Sequence, residues 1–367
     1  MEHIAKTIKK DSTDVRLKNM EPANNPIPGM IQDIKKSSDY EAREKNVEEF
    51  NKMSGCPDRL SCFRRTGGKK RGISLVPMGY PFQALGNFAA MVSVYGQDGT
   101  VAVVHGGVEC GQGINTKVAQ VTAHFLGIPL DQVSIKASNS MVTPNGFVTG
   151  GSITSESCCY AAMVCCKTLL ERLKPFRTDK EQTWKELVLT AFMSMVDLSA
   201  TYMFSPKDGV KPYTIWGVTV AEVEIDVLTG QHQVLRVDLL EDAGKSMSPE
   251  VDVGQVEGAF IMGLGYWLHE ELVYNLDTGE LLTNRTWNYK PPGAKDIPID
   301  FRVELRRNAP NPFGVLRSKA TGEPPLCMSY GAFVAVRNAL ASARVNAGAE
   351  DEWCQMGEYS RPRTNCF

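Results

Sequence analysis

The chain has 367 residues, of which 43% are hydrophobic and 22% charged, the balance of a globular protein long enough for two or three subdomains. A formal net charge of −2 excludes non-specific nucleic-acid binding as its main task. No apolar run approaches the roughly 18 residues of a membrane-spanning helix, and Met1 to Lys10 lacks the apolar centre of a signal peptide, so the expected compartment is the cytoplasm.

Residues 1–72 read as a partial N-terminal connecting segment. Asp11 to Asn19 is charged, and Pro22, Pro26 and Pro28 interrupt the chain after it. Ile31 to Lys52 reads as an exposed, charge-rich helix whose sparse apolar positions include Ile34, Val47 and Phe50. Arg64, Arg65, Lys69, Lys70 and Arg71 form a dense basic cluster. It has no interleaved aromatics and reads as a solvated loop. From Gly72 the texture changes. Ile73 to Val76 and Phe88 to Tyr95 read as strands, Gln97-Asp98-Gly99 as a turn, and Thr100 to Val104 as the returning hairpin partner.

The next stretch, His105 to Lys117, carries Gly106, Gly107, Gly111 and Gly113 between a strand and the helical spacing of Val118, Val121, Phe125 and Leu126. Glycines there allow positive φ and close approach of a ligand. The N-terminus of the helix beyond them is expected to present unpaired N–H groups to an anion. A tight turn without a ligand is the alternative. Pro129 to Ala137 turns into another strand. Asn145 to Ser152 is a second glycine-rich elbow, with Ser152 as the expected N-cap of a helix that ends near Pro175.

Lys180 to Leu198 suggests a further helix, and Gly217 to Asp226 with Val234 to Leu240 a second hairpin. Gly254-Gln255-Val256-Glu257-Gly258 reads as a third elbow opening a helix. Ile297 to Leu305 is a strand, and Lys319 to Pro325 leads into a helix from Leu326 to Val345. Prolines suit the first turn of a helix, where an N–H would be unpaired. Residues 346–367 read as a polar C-terminal tail. Of ten cysteines, Cys158, Cys159, Cys165 and Cys166 share one helix and Cys110 lies in the first elbow. Their spacing fits neither a zinc ribbon nor a disulfide framework, so they are expected to be reduced thiols acting as small apolar groups.

Four turns that open helices therefore carry Gln112, Gly151 with Ser152, Gln255 and Glu323. If they converge, they form a pocket of backbone and neutral amide donors for a large anionic ligand. Glu323, between Gly322 and two prolines, has two readings: a carboxylate that caps a helix, or a general base facing a proton made acidic by a metal.

His105 to Lys117, Thr149 to Ser152, Asp252 to Gly265 and Lys319 to Pro325 resemble, in order, the molybdenum-cofactor part of the xanthine dehydrogenase/aldehyde oxidase family. Glu222 to Asp226 with Leu228-Thr229-Gly230 after it is similar too. Gly150-Gly151-Ser152 looks most like an insect-type aldehyde oxidase. The resemblance implies that Gln112 and Gln255 hold the molybdopterin, that Gly111 and Gly113 let the elbow close on it, and that Gly151 and Ser152 line the metal centre. It implies Glu323 as general base and places Tyr80 near an aromatic that stacks on substrate. No residue of the chain is assigned as a metal ligand.

The fold expected is α+β, the C-terminal half of the molybdopterin-binding domain of molybdenum hydroxylases, with mixed sheets and packed helices spanning residues 73–345. The expected substrate is a small aldehyde or N-heterocycle, hydroxylated with water as oxygen source. The family implies 2Fe-2S clusters, FAD and a homodimer, but the cluster and flavin motifs are absent here and are expected only in preceding regions. No nucleic-acid or membrane partner is expected. The rival readings are a catalytically incomplete or non-catalytic fragment, and an unrelated anion-binding module.

Overall fold

The computed structural model describes residues 1–20, 25–53, 68–178 and 181–349. It is a mixed α+β architecture of two four-stranded sheets with helices packed on them. The first sheet has the order β1 (Lys69–Phe82), β6 (Tyr213–Asp226), β7 (His232–Glu241), β8 (Asp300–Leu305). β1 and β6 run antiparallel over their whole length, from Lys69 opposite Asp226 to Phe82 opposite Tyr213. β7 is antiparallel to β6, and β8 is parallel to β7. The second sheet has the order β4 (Val133–Ile135), β3 (Val101–His105), β2 (Phe88–Val94), β5 (Ser199–Phe204).

Both faces of the first sheet are covered, so alternate residues of one strand enter different cores. Val218 and Val220 pack with Ile27, Met30, Ile31 and Ile34. Ala221, Val223 and Ile225 pack on the other face with Phe260, Ala332, Ala335 and Val336. The second sheet is covered by α5 (Ile114–Leu126) and α6 (Thr154–Leu173). Cys158, Cys159, Cys165 and Cys166 are buried in that core beside Val92, Val103 and Leu169. Burial pushes the thiols of Cys158, Cys165 and Cys166 up to about 12, so these four act as the small apolar groups expected.

The N-terminal region departs from its sequence reading. Asp11 accepts two backbone N–H bonds as the N-cap of α2 (Ser12–Asn19), which comes after α1 (Glu2–Thr7). The single exposed helix expected over Ile31 to Lys52 is two helices, α3 (Ile27–Ser37) and α4 (Tyr40–Met53), separated where Asp39 takes a φ of 53°. Their outer faces are exposed, but each buries one face against the first sheet. Arg43 of α4 is buried and pairs with Glu222 at 2.9 Å and Asp238 at 2.6 Å. The basic cluster is also not a loop where it is described. Lys69 and Arg71 both pair with Glu224 on the neighbouring strand, and buried Lys70 donates to the Asn51 carbonyl. Arg64, Arg65, Pro22 and the tail from residue 350 lie outside the described residues.

Elsewhere the differences are in boundaries. The helix expected over Lys180 to Leu198 is α7 (Trp184–Met193), whose start is fixed by a reciprocal Thr183–Glu186 capping box. α8 (Pro249–Leu264) comes after β7. The C-terminal helix is divided at Ser329 into α9 (Pro324–Met328) and α10 (Tyr330–Asn346).

α10 lies directly on β1 at Gly72. A Cβ there would fall 1.9 Å from the Ala335 carbonyl oxygen and 2.7 Å from the Ala339 nitrogen. Those atoms are backbone and cannot rotate away. Gly72→Ala is therefore expected to cost at least the ~1–3 kcal/mol typical of overpacking, read as a lower midpoint in urea unfolding.

Candidate active site

Four segments distant in sequence meet at one open cleft of about 230 Å³. Cys110 and Gln112 come from the first elbow, Gly150 and Ser152 from the second, Gln255 from α8, and Gly322 and Glu323 from the turn before α9. Gly151 joins them by donating its N–H to Glu323 Oε1 at 2.8 Å. Tyr80, near the end of β1, donates its hydroxyl to Glu323 Oε2. The Glu323 N–H in turn reaches Ser152 Oγ at 2.8 Å. Burial, and then the bond to Glu323, pushes the Tyr80 phenol well above its usual range, so Tyr80 remains a donor.

These contacts bear on the capping reading of Glu323. Although it is the residue before α9, its side chain makes no capping bond. Its carboxylate is turned instead toward Gly151 and Tyr80. Ser152 likewise is not the N-cap expected for α6. It has a φ of 54°, α6 begins at Thr154, and its hydroxyl receives the Glu323 N–H. Gly151, with φ of 65°, supplies the left-handed turn that aims its N–H at the carboxylate.

The first elbow is also different in its electrostatics. Gly111 and Gly113 have φ of 102° and 77°, as expected for the elbow. The helix N-terminus beyond them is not open, because Glu109 fills it. Glu109 Oε1 accepts from the N–H groups of Gly111 and Gly113 and Oε2 from that of Asn115, each at 3.0 Å. Burial pushes the Glu109 carboxyl up, but the three N–H donors together outweigh it and hold it below its usual range. Gln112 faces the cleft while its amide bonds within the loop, accepting from Cys110 N at 2.7 Å and donating to the Val108 carbonyl at 2.7 Å.

The third elbow is not an elbow. α8 already begins at Pro249, so Gln255 lies on its second turn and projects from the helix side. Its side-chain amide makes no hydrogen bond to the described residues. Beneath it, one carboxylate links three of the converging segments. Asp252 Oδ1 accepts from Lys117 Nζ of α5 at 2.6 Å and from Thr321 Oγ1 at 2.9 Å, and Oδ2 accepts from Ser246 Oγ at 2.6 Å. Lys117, Asp252 and Thr321 are all buried. The sequence reading assigned no role to Glu109, Lys117, Glu156, Asp252 or Thr321. The signals for them were weak: Glu109 and Lys117 lie inside the glycine elbow, and Asp252 stands three residues before Gln255 on one helical face.

Residues 33–298 match the molybdopterin cofactor-binding domain family. The chain belongs to that family. It is 40% identical over 334 residues to an indole-3-acetaldehyde oxidase of Arabidopsis thaliana, covering 88% of this chain and 24% of that protein. It is 39% identical over 327 residues to a xanthine dehydrogenase/oxidase of Gallus gallus, covering 86% of this chain and 23% of that protein. The chain thus spans about a quarter of the length of these curated relatives. Its fold matches a CO dehydrogenase from Oligotropha carboxidovorans with a TM-score of 0.77 at 20% identity, over 93% of this chain and 47% of that one. An aldehyde oxidoreductase from Desulfovibrio gigas matches with a TM-score of 0.71 at 22% identity, over 93% of this chain and 37% of that one.

The cleft of this molybdopterin-binding domain suits such a group. A pterin edge alternates ring nitrogens with amide-like donors and acceptors, which neutral amides and hydroxyls match. The Gln255 amide is unbonded, and Thr154 Oγ1, which lines the cleft, is buried without a partner among the described residues. A Cβ at Gly322 would stand 3.3 Å from Ser152 Oγ and 3.5 Å from Gln255 Oε1, crowding these groups, whereas one at Gly111 or Gly150 would meet nothing within 4 Å. Glycine at 322 leaves room for the Ser152 hydroxyl.

The charges have two measurable consequences. A carboxyl held below its usual range contributes stability above that range and loses it as the pH falls through the folded-state value. The amides of Gly111, Gly113 and Asn115 are expected to lose hydrogen-exchange protection, relative to the rest of α5, as the solution is acidified. In Glu109→Gln this pH step should be absent. Asp252→Ala leaves the Lys117 ammonium buried and unpaired, and is expected to cost about 3–5 kcal/mol in denaturant unfolding.

Proposed function

We propose that this domain forms half of the molybdenum centre of an oxidoreductase that hydroxylates aldehydes or N-heterocycles with water as the oxygen source, and that aldehydes are its main substrate class. The observation that carries the reading is the Glu323 carboxylate, uncommitted to its helix and aimed by Gly151 and Tyr80 into the cleft lined by Gln112 and Gln255. The Gly150-Gly151-Ser152 segment, which resembles that of aldehyde oxidases and lines the cleft at Gly150 and Ser152, supports the aldehyde assignment.

Gln255, Gln112, Ser152 and Thr154 would hold the molybdopterin, with Gly111, Gly113 and Gly151 allowing close approach. When bound, molybdenum-molybdopterin supplies the two-electron acceptor and the activation of a solvent oxygen. Glu323 acts as general base. Each of its oxygens already receives one hydrogen bond, and its remaining lone pairs accept the proton released as that oxygen is transferred. Tyr80 aligns the base through its hydroxyl and offers its ring to the substrate. Oxidising an aldehyde with water to a carboxylic acid releases two electrons and two protons. 2Fe-2S clusters and FAD on other regions of a longer cytoplasmic protein would take up those electrons, and that protein would assemble as a homodimer.

The test is Glu323→Gln in the complete enzyme, with reduction by excess aldehyde monitored rapidly and normalised to bound molybdenum. Loss of a general base lowers the rate by about 10²- to 10⁴-fold, while molybdenum content stays near the parent value because other groups hold the pterin. A normalised rate within a few-fold of the parent would remove Glu323 from the chemistry. Molybdenum-loaded protein without turnover would favour the non-catalytic reading.

A further inference from the structure

Glu156 is a buried carboxyl group with no part in the proposed reaction. It sits in the first turn of α6, ahead of Cys158 and Cys159, and also lines the cleft. Its Oε1 accepts from the Val315 N–H at 2.6 Å, and its Oε2 receives the Tyr213 hydroxyl at 3.4 Å. The Tyr213 hydroxyl oxygen in turn accepts the Ala320 N–H at 3.1 Å. The Tyr213 ring is fixed by stacking on Phe82, with centroids 4.3 Å apart and planes 8° from parallel. One carboxyl group therefore props two points of the segment that leads to Glu323, directly at Val315 and through tyrosine at Ala320.

That segment needs support. Leu316 and Arg317 both sit in the left-handed region, with φ of 50° and 66°. Neither is a glycine, and such residues persist only where their surroundings over-determine them. Burial pushes the Glu156 carboxyl up to about 7, against the opposing pull of the Val315 N–H, Tyr213 and Lys117. Lys117 faces it from α5, Tyr213 from β6 and Cys159 from its own helix. A neutral side chain of the same shape should thus keep the props in place.

Building on the general-base reading of Glu323, we propose that Glu156 is a positioning residue that sets the Glu323 carboxylate against Tyr80 by holding the 315–320 segment from below.

The test needs neither cofactor nor turnover, so it can fail independently of that reading. The full chain is prepared with tyrosine labelled with carbon-13 at Cζ, and the Tyr80 resonance is assigned by its loss in Tyr80→Phe. Glu323→Gln then defines the resonance without a carboxylate partner. In Glu156→Leu, which removes both props, the Tyr80 resonance should move most of the way to its Glu323→Gln position. In Glu156→Gln, which keeps an acceptor for Val315, it should stay at the parent position. A folded Glu156→Leu chain with Tyr80 unmoved overturns the proposal, because a residue that only adds stability would leave that bond intact. If Glu156→Leu does not fold, Tyr213→Phe keeps the ring stack but cuts the link to Ala320. It should displace the Tyr80 resonance in the same direction, and an unmoved resonance there overturns the proposal.

Discussion

The carboxylate of Asp252 joins parts of the molecule that otherwise have separate cores. Lys117 belongs to a helix on the second sheet, Asp252 to a helix on the first, and Thr321 to the turn that carries Glu323. A buried ion pair is a poor source of net stability, because both charges lose their water. With the Lys117 ammonium, the Thr321 hydroxyl and the Ser246 hydroxyl all directed at one group, a single relative placement satisfies all of them. A shift of either helix would strand a charge. The cleft is the space left between the two helix-covered sheets once that placement is set.

The same economy of charge shapes the cleft walls. Lys117 is held by Asp252, and Lys319 by Asp242 at 2.8 Å and the Thr214 carbonyl. The elbow helix meets the carboxylate of Glu109 rather than an open solution. The other polar groups that line the cleft are neutral, namely the amides of Gln112 and Gln255 and the hydroxyls of Ser152 and Thr154. Such groups both donate and accept, so they read the pattern of a heterocycle edge rather than net charge. A carboxylate placed among them is not neutralised by a nearby ammonium. Glu323 keeps hydrogen bonds from a backbone N–H and a phenol, which orient it while leaving lone pairs for a proton.

Much of the fold was legible because it depends on local pattern. The β2–β3 hairpin, the α5 and α6 helices and the β6–β7 hairpin arise from period-two or helical spacing bounded by glycine, asparagine or proline. The failures have a common cause. Ile27 to Met53 has the composition of an exposed helix, yet Ile27, Met30, Ile31 and Ile34 cover a sheet face whose strands lie far along the chain. Gln255 looked like an elbow because Gly254 and Gly258 flank it, but both glycines sit within a helix that Pro249 had already opened. The packing of that helix overrode the weak helix propensity of glycine.

The sequence by itself determined the chemistry available to the site. Four short motifs place two glutamines, a serine, a glutamate and the glycines that admit a ligand, and their order marks the family. The tertiary structure alone decided which of those groups face one another. Ser152 serves Glu323 instead of its own helix, and Tyr80 finds a carboxylate 243 residues away. These are hydrogen bonds between groups whose spacing in the chain carries no information about distance. They form where two apolar cores have brought part-buried donors and acceptors together.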